Sequence, residues 1–535
     1  MLRSPGVVVF SSKAPRAVLR LVARIRQEVP QARVCGILYQ RPPGNGGGKQ
    51  SAAGSLRGRL ARFSANIGSA LLRLFHAYPN GAGRYSETTL ADLERFCKEI
   101  GCAFLSTPDL ASSESVEFVG KLGADLGIVY GTVDTAPEVF DLPREGCLII
   151  RKGQWLDCRG SATPAAEDLA DSERTVHVSV LKFQRSPEDA RVLETASLPL
   201  EPFETLVGLG LKTNLVGNDL LIRALGGFAS DEASETGRGR LAPMPPVYSV
   251  PPAVNGDGEQ SKTGTQFRPW RSRPAWNLFL RTVVPTPWAL ARNWYRRWRG
   301  AAPVVILFHH LVTDRPHQGG MPTELFWKQV RFLKKHYRIA TLNEAVEALE
   351  AKRVKEPMVV LTMDDGYRDN FLCLRAVTEE EGVPVSLFIS TDYMSAERGF
   401  EHDKKWKLDN FLPLTWEQLK YLGRNGFEIG SHTRSHFNCG STDRAALERE
   451  IVGSKIDLER QLGQPVEYFA FPWGQPENMS PEAVQLAQRT YAYFFSACGG
   501  VNFPSPSGSP RHLRRRIQCD TIWELELQLQ SLLDP

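Results

Sequence analysis

Two short segments of the chain carry residue types that could bind a metal ion and move a proton. The first is Thr-Met-Asp-Asp-Gly-Tyr, which contains Asp364 and Asp365, and the second is Ser-His-Thr-Arg-Ser-His, which contains His432 and His436. Imidazoles four residues apart project from one face of a helical turn, so they can hold one cation together with a carboxylate. At the end of a buried strand, Asp365 can be that carboxylate while Asp364 points elsewhere and stays available as a base. The pattern predicts a 2-His-1-carboxylate site with positions open for water and substrate.

Each motif alone has a simpler interpretation. Asp-Asp-Gly is commonly a turn, and histidines with this spacing more often lie on the surface or in the core than bind a metal. Here the aspartates end the apolar run Met358–Met363, and the histidines follow the strand-like segment Gly426–Gly430. Because motifs at the carboxyl ends of strands in a βα barrel converge on one face, the two segments are expected to meet.

Residues from about Pro303 to Gln518 resemble the polysaccharide deacetylase family, the NodB homology domain of carbohydrate esterase family four. The two segments match its T-F-D-D-G and S-H-T-x-x-H motifs. Five further segments match in order, namely an opening strand, an L-T-W-x-x-L helix, an E-I-x-x-S-K helix, an F-A-Y-P-x-G loop and a late L-x-R segment, at residues 304–310, 414–419, 448–462, 469–474 and 513–517. The resemblance implies a distorted (β/α) barrel.

The resemblance also implies a hydrolytic reaction. A divalent cation on Asp365, His432 and His436 would polarise an acetamide carbonyl and lower the pKa of a bound water, with Asp364 as the base. The ligand set favours zinc, while cobalt, nickel, iron and manganese stay open because selectivity depends on geometry and metal availability.

Two further roles map to other positions of the family pattern. A backbone N–H near Pro472 and Trp473 would hold the oxyanion, and the Trp473 ring offers an aromatic wall to a sugar. The proton donor for the leaving amine falls on His309 at the end of the opening strand, with His310 and His512 as alternatives. A histidine at a strand end is about as often purely structural.

Length and composition allow more than one domain. The chain has 535 residues with 42% apolar content, and its net charge of +5 gives little indication of an acidic partner. Nine cysteines without a C-x-x-C pair indicate reduced thiols. The apolar run Gly6–Phe10 resembles a first strand more than a signal peptide, and no apolar run is long enough to span a bilayer. These features predict a cytoplasmic protein that meets a nucleotide-linked or lipid-linked N-acetyl sugar.

Alternating strand and helix signals predict a doubly wound, Rossmann-like α/β domain over residues 1–232. No G-x-G-x-x-G follows the first strand, which disfavours a dinucleotide site. Residues Leu122–Gly160 weakly resemble the formyltransferase family of methionyl-tRNA formyltransferase. Ile149 replaces that family's catalytic asparagine and Arg151 its histidine, and an isoleucine cannot donate to an oxyanion. The domain is therefore expected to be inactive and to serve in docking or pairing.

Residues 233–300 are expected to connect this domain to the deacetylase-like domain at 301–535. Residues 237–264 are rich in Pro, Gly and Ser, which is typical of a flexible linker. Residues 267–300 interleave Trp and Arg, which suits contact with an anionic membrane surface, or packing of the rings on the barrel with solvated arginines. Nucleic acid is not expected as a partner, because no recognised binding module surrounds the segment.

Two functions compete. The first is a metal-dependent hydrolase that removes N-acetyl groups from an amino sugar in a glycan, a lipid-linked or a nucleotide-linked saccharide. The second is a catalytically inactive carbohydrate- or lipid-binding scaffold. The intact pair of aspartates and pair of histidines favour the first, and the sequence carries no signal for the oligomeric state.

Overall fold

The computed structural model describes most of the chain outside a long central segment. The described ranges are 4–41, 89–131, 136–152, 175–184, 190–199, 206–229, 240–241, 298–315, 320–406, 411–504 and 511–517, with single positions at 292, 295, 296, 522, 525 and 529. These residues form two compact units, one up to residue 241 and one from residue 292 onward. The expected linker and most of the Trp-Arg segment lie outside the described residues, so the boundaries 232 and 300 stay predictions.

The N-terminal unit is built on one sheet. Its strands are β1 (Gly6–Ser11), β2 (Arg33–Gln40), β3 (Ala103–Thr107), β4 (Leu126–Tyr130), β5 (Cys147–Lys152), β6 (Thr175–Phe183), β7 (Arg191–Pro199) and β8 (Arg240–Leu241). The strand order is β3-β2-β1-β4-β5-β6-β7-β8. The strands β1 to β5 pair in parallel, whereas β6 pairs antiparallel with both β5 and β7.

Helices cover this sheet and connect its parallel strands. They are α1 (Pro15–Glu28), α2 (Leu90–Glu99), α3 (Ser113–Leu122), α4 (Pro137–Phe140) and α5 (Leu206–Ala229). Strand β1 is buried over its whole length, which explains its continuous apolar sequence Gly-Val-Val-Val-Phe. The predicted doubly wound α/β architecture is confirmed.

The C-terminal unit is a parallel barrel. Its strands are β9 (Val304–His309), β10 (Arg338–Ile339), β11 (Met358–Met363), β12 (Ser386–Ile389), β13 (Glu428–Ser431), β14 (Tyr468–Ala470), β15 (Tyr493–Ser496) and β16 (His512–Ile517). Seven of them follow the order β11-β12-β13-β14-β15-β16-β9, and β9 pairs back with β11 to close the barrel. The short strand β10 adds to the other edge of β11. The expected βα barrel is confirmed.

Helices and short helical turns connect the barrel strands. The helices are α6 (Thr323–His336), α7 (Leu342–Glu350), α8 (Asn370–Ala376), α9 (Trp416–Arg424), α10 (Arg444–Leu447), α11 (Gly453–Leu462) and α12 (Pro481–Thr490). Single π turns follow α8 at Val377–Glu381 and join α10 to α11 at Glu448–Val452. Short 3-10 turns lie at Thr391–Tyr393, Glu401–Trp406 and Pro476–Asn478. In the described part of the chain, no helix has the length and apolar content that crossing a membrane requires.

Apolar side chains from alternate strand positions form the barrel core. Val304 and Ile306 of β9 belong to the same buried cluster as Met358 and Val360 of β11. Successive strand residues point to opposite faces of a sheet, so His309 is out of phase with these inward residues. Its ring lies edge-on against Phe326 of α6, on the outer side of β9.

Candidate metal centre

The predicted site residues lie where neighbouring strands end. Asp364 and Asp365 follow β11 directly, and His432 follows β13 directly. Carboxyl ends of parallel strands share one face of a barrel, so residues far apart in sequence meet there. Asp365 has a φ of 68° and His436 a φ of 56°, in the left-handed region that non-glycine residues rarely occupy. Such strain costs roughly 1–3 kcal/mol per residue and concentrates at functional sites.

Three imidazoles surround the carboxylate of Asp365. Nε2 of His436 lies 3.4 Å from Oδ1, and Nε2 of His432 lies 3.6 Å from the same oxygen. Nε2 of His402 lies 3.6 Å from Oδ2. Both oxygens are buried and have no hydrogen-bond partner among the described residues. Ligands at about 2.0–2.1 Å from a tetrahedral metal are about 3.4 Å apart, so these residues fit a divalent cation.

The protonation states also suit a metal. Burial alone would raise the pKa of Asp365, but the imidazoles of His402 and His436 hold it well below its ordinary value. Burial lowers the pKa of His432, and lowers that of His436 well below its ordinary value. An ionised carboxylate and neutral imidazoles are the forms that bind a metal.

A backbone carbonyl orients His432. Nδ1 of His432 lies 2.8 Å from the carbonyl oxygen of Ala470 in β14. If Nδ1 carries the proton and donates it to this oxygen, Nε2 keeps a lone pair directed toward Asp365. Metal-binding histidines are usually fixed by such a hydrogen bond on the other ring nitrogen.

The expected helical turn at the histidine motif is wrong. Residues 432–436 form an irregular turn, in which Thr433 has a φ of 64°. The hydroxyl of Thr433 accepts a hydrogen bond from the backbone N–H of Phe437 at 2.9 Å, which stabilises this turn. The two imidazoles still converge, with ring centroids 5.0 Å apart.

Glu450, in the π turn between α10 and α11, holds the histidine turn in place. Its buried carboxylate accepts hydrogen bonds from the backbone N–H groups of Arg434 and Ser435, at 3.0 and 2.9 Å. It also accepts one from the Ser435 hydroxyl at 2.9 Å. Glu450 therefore positions His432 and His436 indirectly, through Arg434 and Ser435, which lie between them in the chain.

Glu450→Ala is expected to loosen the site and to destabilise the fold. Two backbone N–H groups would lose their buried acceptor, at a cost of about 1–3 kcal/mol each. Metal affinity should fall about 10–100-fold, as is usual when a residue that supports a ligand is removed. Chemical unfolding and metal competition titration measure the two effects. Glu448→Ala, which removes an exposed carboxylate two residues earlier, is the matched control, and an equal loss in both variants would contradict the positioning role.

Asp364 has a different partner from Asp365. Nη1 of Arg515 donates to Oδ1 of Asp364 at 2.6 Å, and both side chains are almost completely buried. The guanidinium of Arg515 lies 4.8 Å from the ring centroid of Phe308 and 4.9 Å from that of Phe388. Arg515 thus crosses the barrel interior and fixes the carboxylate that the sequence assigns as the base.

Trp473 forms one wall beside the metal centre. It lies three residues after β14, has a φ of 56° and follows Pro472 in the loop that the family pattern picks out. Its ring centroid is 4.4 Å from that of His436, with the ring planes at 72°. The side chain is 43% exposed, which makes it an accessible aromatic surface next to the candidate ligands.

Residues 351–492 match the family model described as polysaccharide deacetylase. This match lies within the C-terminal unit and includes the two aspartates and two histidines of the candidate centre. Among curated relatives, YxkH of Bacillus subtilis (strain 168), whose name classes it with the polysaccharide deacetylases, is 23% identical over 199 residues. The match covers 37% of this chain and 64% of YxkH, so the chain spans less than two thirds of that relative.

Two further proteins are similar to parts of this chain. A methionyl-tRNA formyltransferase from Parvibaculum lavamentivorans is 25% identical over 177 residues, 32% of this chain and 56% of that protein. IcaB from Ammonifex degensii has a solved structure with 19% identity and a TM-score of 0.36, covering 43% of this chain and 95% of that chain. The family-model match and the curated relatives confirm both resemblances noted in the sequence, the N-terminal one as a weak similarity.

The candidate proton donors of the C-terminal unit lie in different surroundings. His309 is buried, Nδ1 has no hydrogen-bond partner among the described residues, and burial lowers its pKa to about 4. Burial has the largest effect on two nearby pKa values, raising that of Asp365 and lowering that of His436. His310 is half-buried, and its imidazole makes a smaller contribution that lowers both. His512 begins β16, at the opposite end of the barrel from the metal centre.

Sequence patterns assigned no role to two of the residues at this centre. Arg515 lies in the L-x-R segment, but nothing in that pattern indicates which carboxylate it meets. His402 belongs to no motif, and its only local signal is the neighbouring Asp403. In the N-terminal unit, Ile149 and Arg151 lie on β5, and Ile149 packs against a hydrophobic cluster of that unit.

Proposed function

We propose that this chain is a metal-dependent hydrolase that removes N-acetyl groups from an amino sugar in a glycan, a lipid-linked or a nucleotide-linked saccharide. The observation that carries the proposal is the buried Asp365 carboxylate, which has no hydrogen-bond partner within the described ranges and lies 3.4–3.6 Å from imidazole nitrogens. The deacetylase family match supports the reaction class. A divalent cation such as Zn²⁺, held by Asp365, His432 and His436, would polarise the carbonyl and activate water.

The remaining chemistry falls to residues of the chain itself. Asp364 accepts the proton of the attacking water, and Arg515 orients its carboxylate through the 2.6 Å contact to Oδ1. A backbone N–H near Pro472 and Trp473 stabilises the oxyanion. The exposed ring of Trp473 covers one face of the sugar.

We place the proton donor for the leaving amine at His310 in preference to His309. His310 is partly accessible and near the ligands, whereas the His309 ring packs against Phe326 of α6 and is neutral above a pH of about 4. A donor must reach the leaving nitrogen, and a ring that is neutral above a pH of about 4 carries no proton to donate near neutral pH.

His310→Gln is therefore expected to lower kcat by about 10²-fold or more, with metal content unchanged. His309→Gln should alter kcat by less than His310→Gln, because the His309 ring packs against α6 on the outer side of the barrel. Single-turnover acetate release from both variants measures the difference. The opposite ranking would return the role to His309.

The N-terminal unit is proposed to have no formyltransferase activity, because Ile149 occupies the place of the catalytic asparagine. Docking or pairing remains its proposed role. We also propose a cytoplasmic location, with contact between the Trp-Arg segment and an anionic membrane surface. Tyr295 and Trp298, the described large aromatics of that segment, are 53% and 72% exposed.

The substrate class is tested by acetate release from N-acetylated sugars offered free, nucleotide-linked, lipid-linked and as oligomers. Release from one of these forms by protein of known metal content would support the proposal and identify the class. Binding of a saccharide without release, by metal-loaded protein, would instead support the scaffold function.

A further inference from the structure

His402 is the third histidine at the Asp365 carboxylate, and it comes from outside both metal-binding motifs. It lies in the 3-10 turn Glu401–Trp406, between β12 and α9. Its side chain is 17% exposed, whereas His436 is 6% and His432 is 1% exposed. His402 therefore lies on the more accessible side of the centre.

The position of His402 matches that of a ligand. Its Nε2 is 3.6 Å from Oδ2 of Asp365, which is outside hydrogen-bond distance and equal to the spacing of His432 from Oδ1. Its ring stacks on that of His436, with centroids 4.1 Å apart and planes at 30°. Ligating atoms of Asp365, His402 and His436 all lie within 4.8 Å of one another. One cation can therefore contact all three residues.

Hydrogen bonds and aromatic packing hold the 3-10 turn against the metal centre. The hydroxyl of Tyr367 donates to Oδ2 of Asp403 at 2.9 Å, and Tyr367 comes two residues after Asp365. The backbone N–H of Glu401 donates to the hydroxyl of Tyr393 at 3.2 Å. Phe400 packs between both tyrosines, with ring centroids 4.6 and 4.8 Å away. The location of His402 is thus fixed by buried contacts.

We propose that His402 is a fourth protein ligand of the metal, and that substrate displaces it. Asp365, His432 and His436 leave one tetrahedral position open, and His402 fills it in the resting protein. The displacement of His402 rests on the proposed deacetylase function, because the substrate carbonyl or the attacking water would take its coordination position. The coordination part does not depend on any activity.

The test compares Zn²⁺ and Co²⁺ binding by the full chain after metal removal. His402→Gln is expected to lower metal affinity at least about tenfold. Replacing a residue that only hydrogen-bonds to a metal ligand already lowers metal affinity about 10–100-fold. It should also change the visible spectrum of the Co²⁺ form, since the ligand set and geometry change. His336→Gln removes an exposed histidine at the end of α6 and is the matched control, expected to match the parent chain.

Tyr367→Phe provides a second variant, which keeps the His402 imidazole but removes the hydroxyl that donates to Asp403 and contacts Nε2 of His402 at 3.5 Å. It should weaken metal binding by less than His402→Gln, and circular dichroism confirms that each variant is folded. An unchanged affinity and Co²⁺ spectrum in folded His402→Gln would overturn the coordination, whatever the activity. With metal saturating, His402→Gln should also lower KM for an active saccharide. A raised or unchanged KM would overturn the displacement.

Discussion

Replacing Asp365 with alanine will remove the metal and reduce acetate release by at least about 10³-fold. Its carboxylate is the one acidic group among the described residues that lies within 3.4–3.6 Å of three imidazole nitrogens. Without it, the charge that balances a divalent cation is gone. A metal supplies several kcal/mol of transition-state stabilisation, and each 1.36 kcal/mol changes the rate tenfold.

The same substitution should not unfold the protein. In the metal-free state, Asp365 is a buried ionised group to which no residue that the structure describes donates a hydrogen bond, and this is unfavourable for folding. Its φ of 68° penalises alanine, so Asp365→Asn is the better companion variant because asparagine tolerates this region. Metal content by elemental analysis and thermal unfolding without metal measure both effects. Full metal content in either variant would contradict the ligand role.

Asp364→Asn will have the reverse signature, with turnover lost and metal retained. The amide keeps the size of the carboxylate but cannot accept the proton of water, so kcat should fall about 10²–10⁴-fold. Oδ1 of Asp364 accepts from Arg515, and Asp364 is not one of the proposed ligands, so the metal should be retained. Loss of the negative charge leaves the buried Arg515 guanidinium without its ion pair, and breaking such a pair costs up to about 3–5 kcal/mol of stability.

Metal stoichiometry, kcat and unfolding free energy should be measured on the same preparation of Asp364→Asn. Asp443→Asn changes an exposed aspartate that caps α10 and is the control for the substitution itself. Unchanged turnover in Asp364→Asn would show that another group is the base. Loss of the metal would show instead that both aspartates are ligands.

The residues that could be predicted from sequence are those with local signals. Asp364 and Asp365 end a continuous apolar run, and in a parallel barrel such a run must be a strand whose carboxyl end faces the site. His432 could be predicted in the same way, because it follows the strand-like segment Gly426–Gly430. The parallel order of the N-terminal strands likewise followed from alternating strand and helix signals.

The contacts that sequence could not predict depend on packing between distant segments. His402 reaches the centre because Phe400 packs between Tyr367 and Tyr393, and no local pattern encodes that. The prediction of a helical turn at the histidines was wrong because Thr433 adopts a left-handed φ, which the spacing of His432 and His436 does not reveal. By contrast, the outward direction of His309 could have been found from the alternation of residues along β9.

The most direct test of a metal-dependent deacetylase is reconstitution of the metal-free chain. Chelated protein should release no acetate from the N-acetylated saccharide that it hydrolyses best. Adding Zn²⁺ should restore release in proportion to bound metal, reaching its maximum at one equivalent per chain, and Asp364→Asn should bind the same equivalent without release. Acetate release from metal-free protein at the full rate, or none from protein holding one equivalent of any divalent metal across all four saccharide forms, would contradict the account.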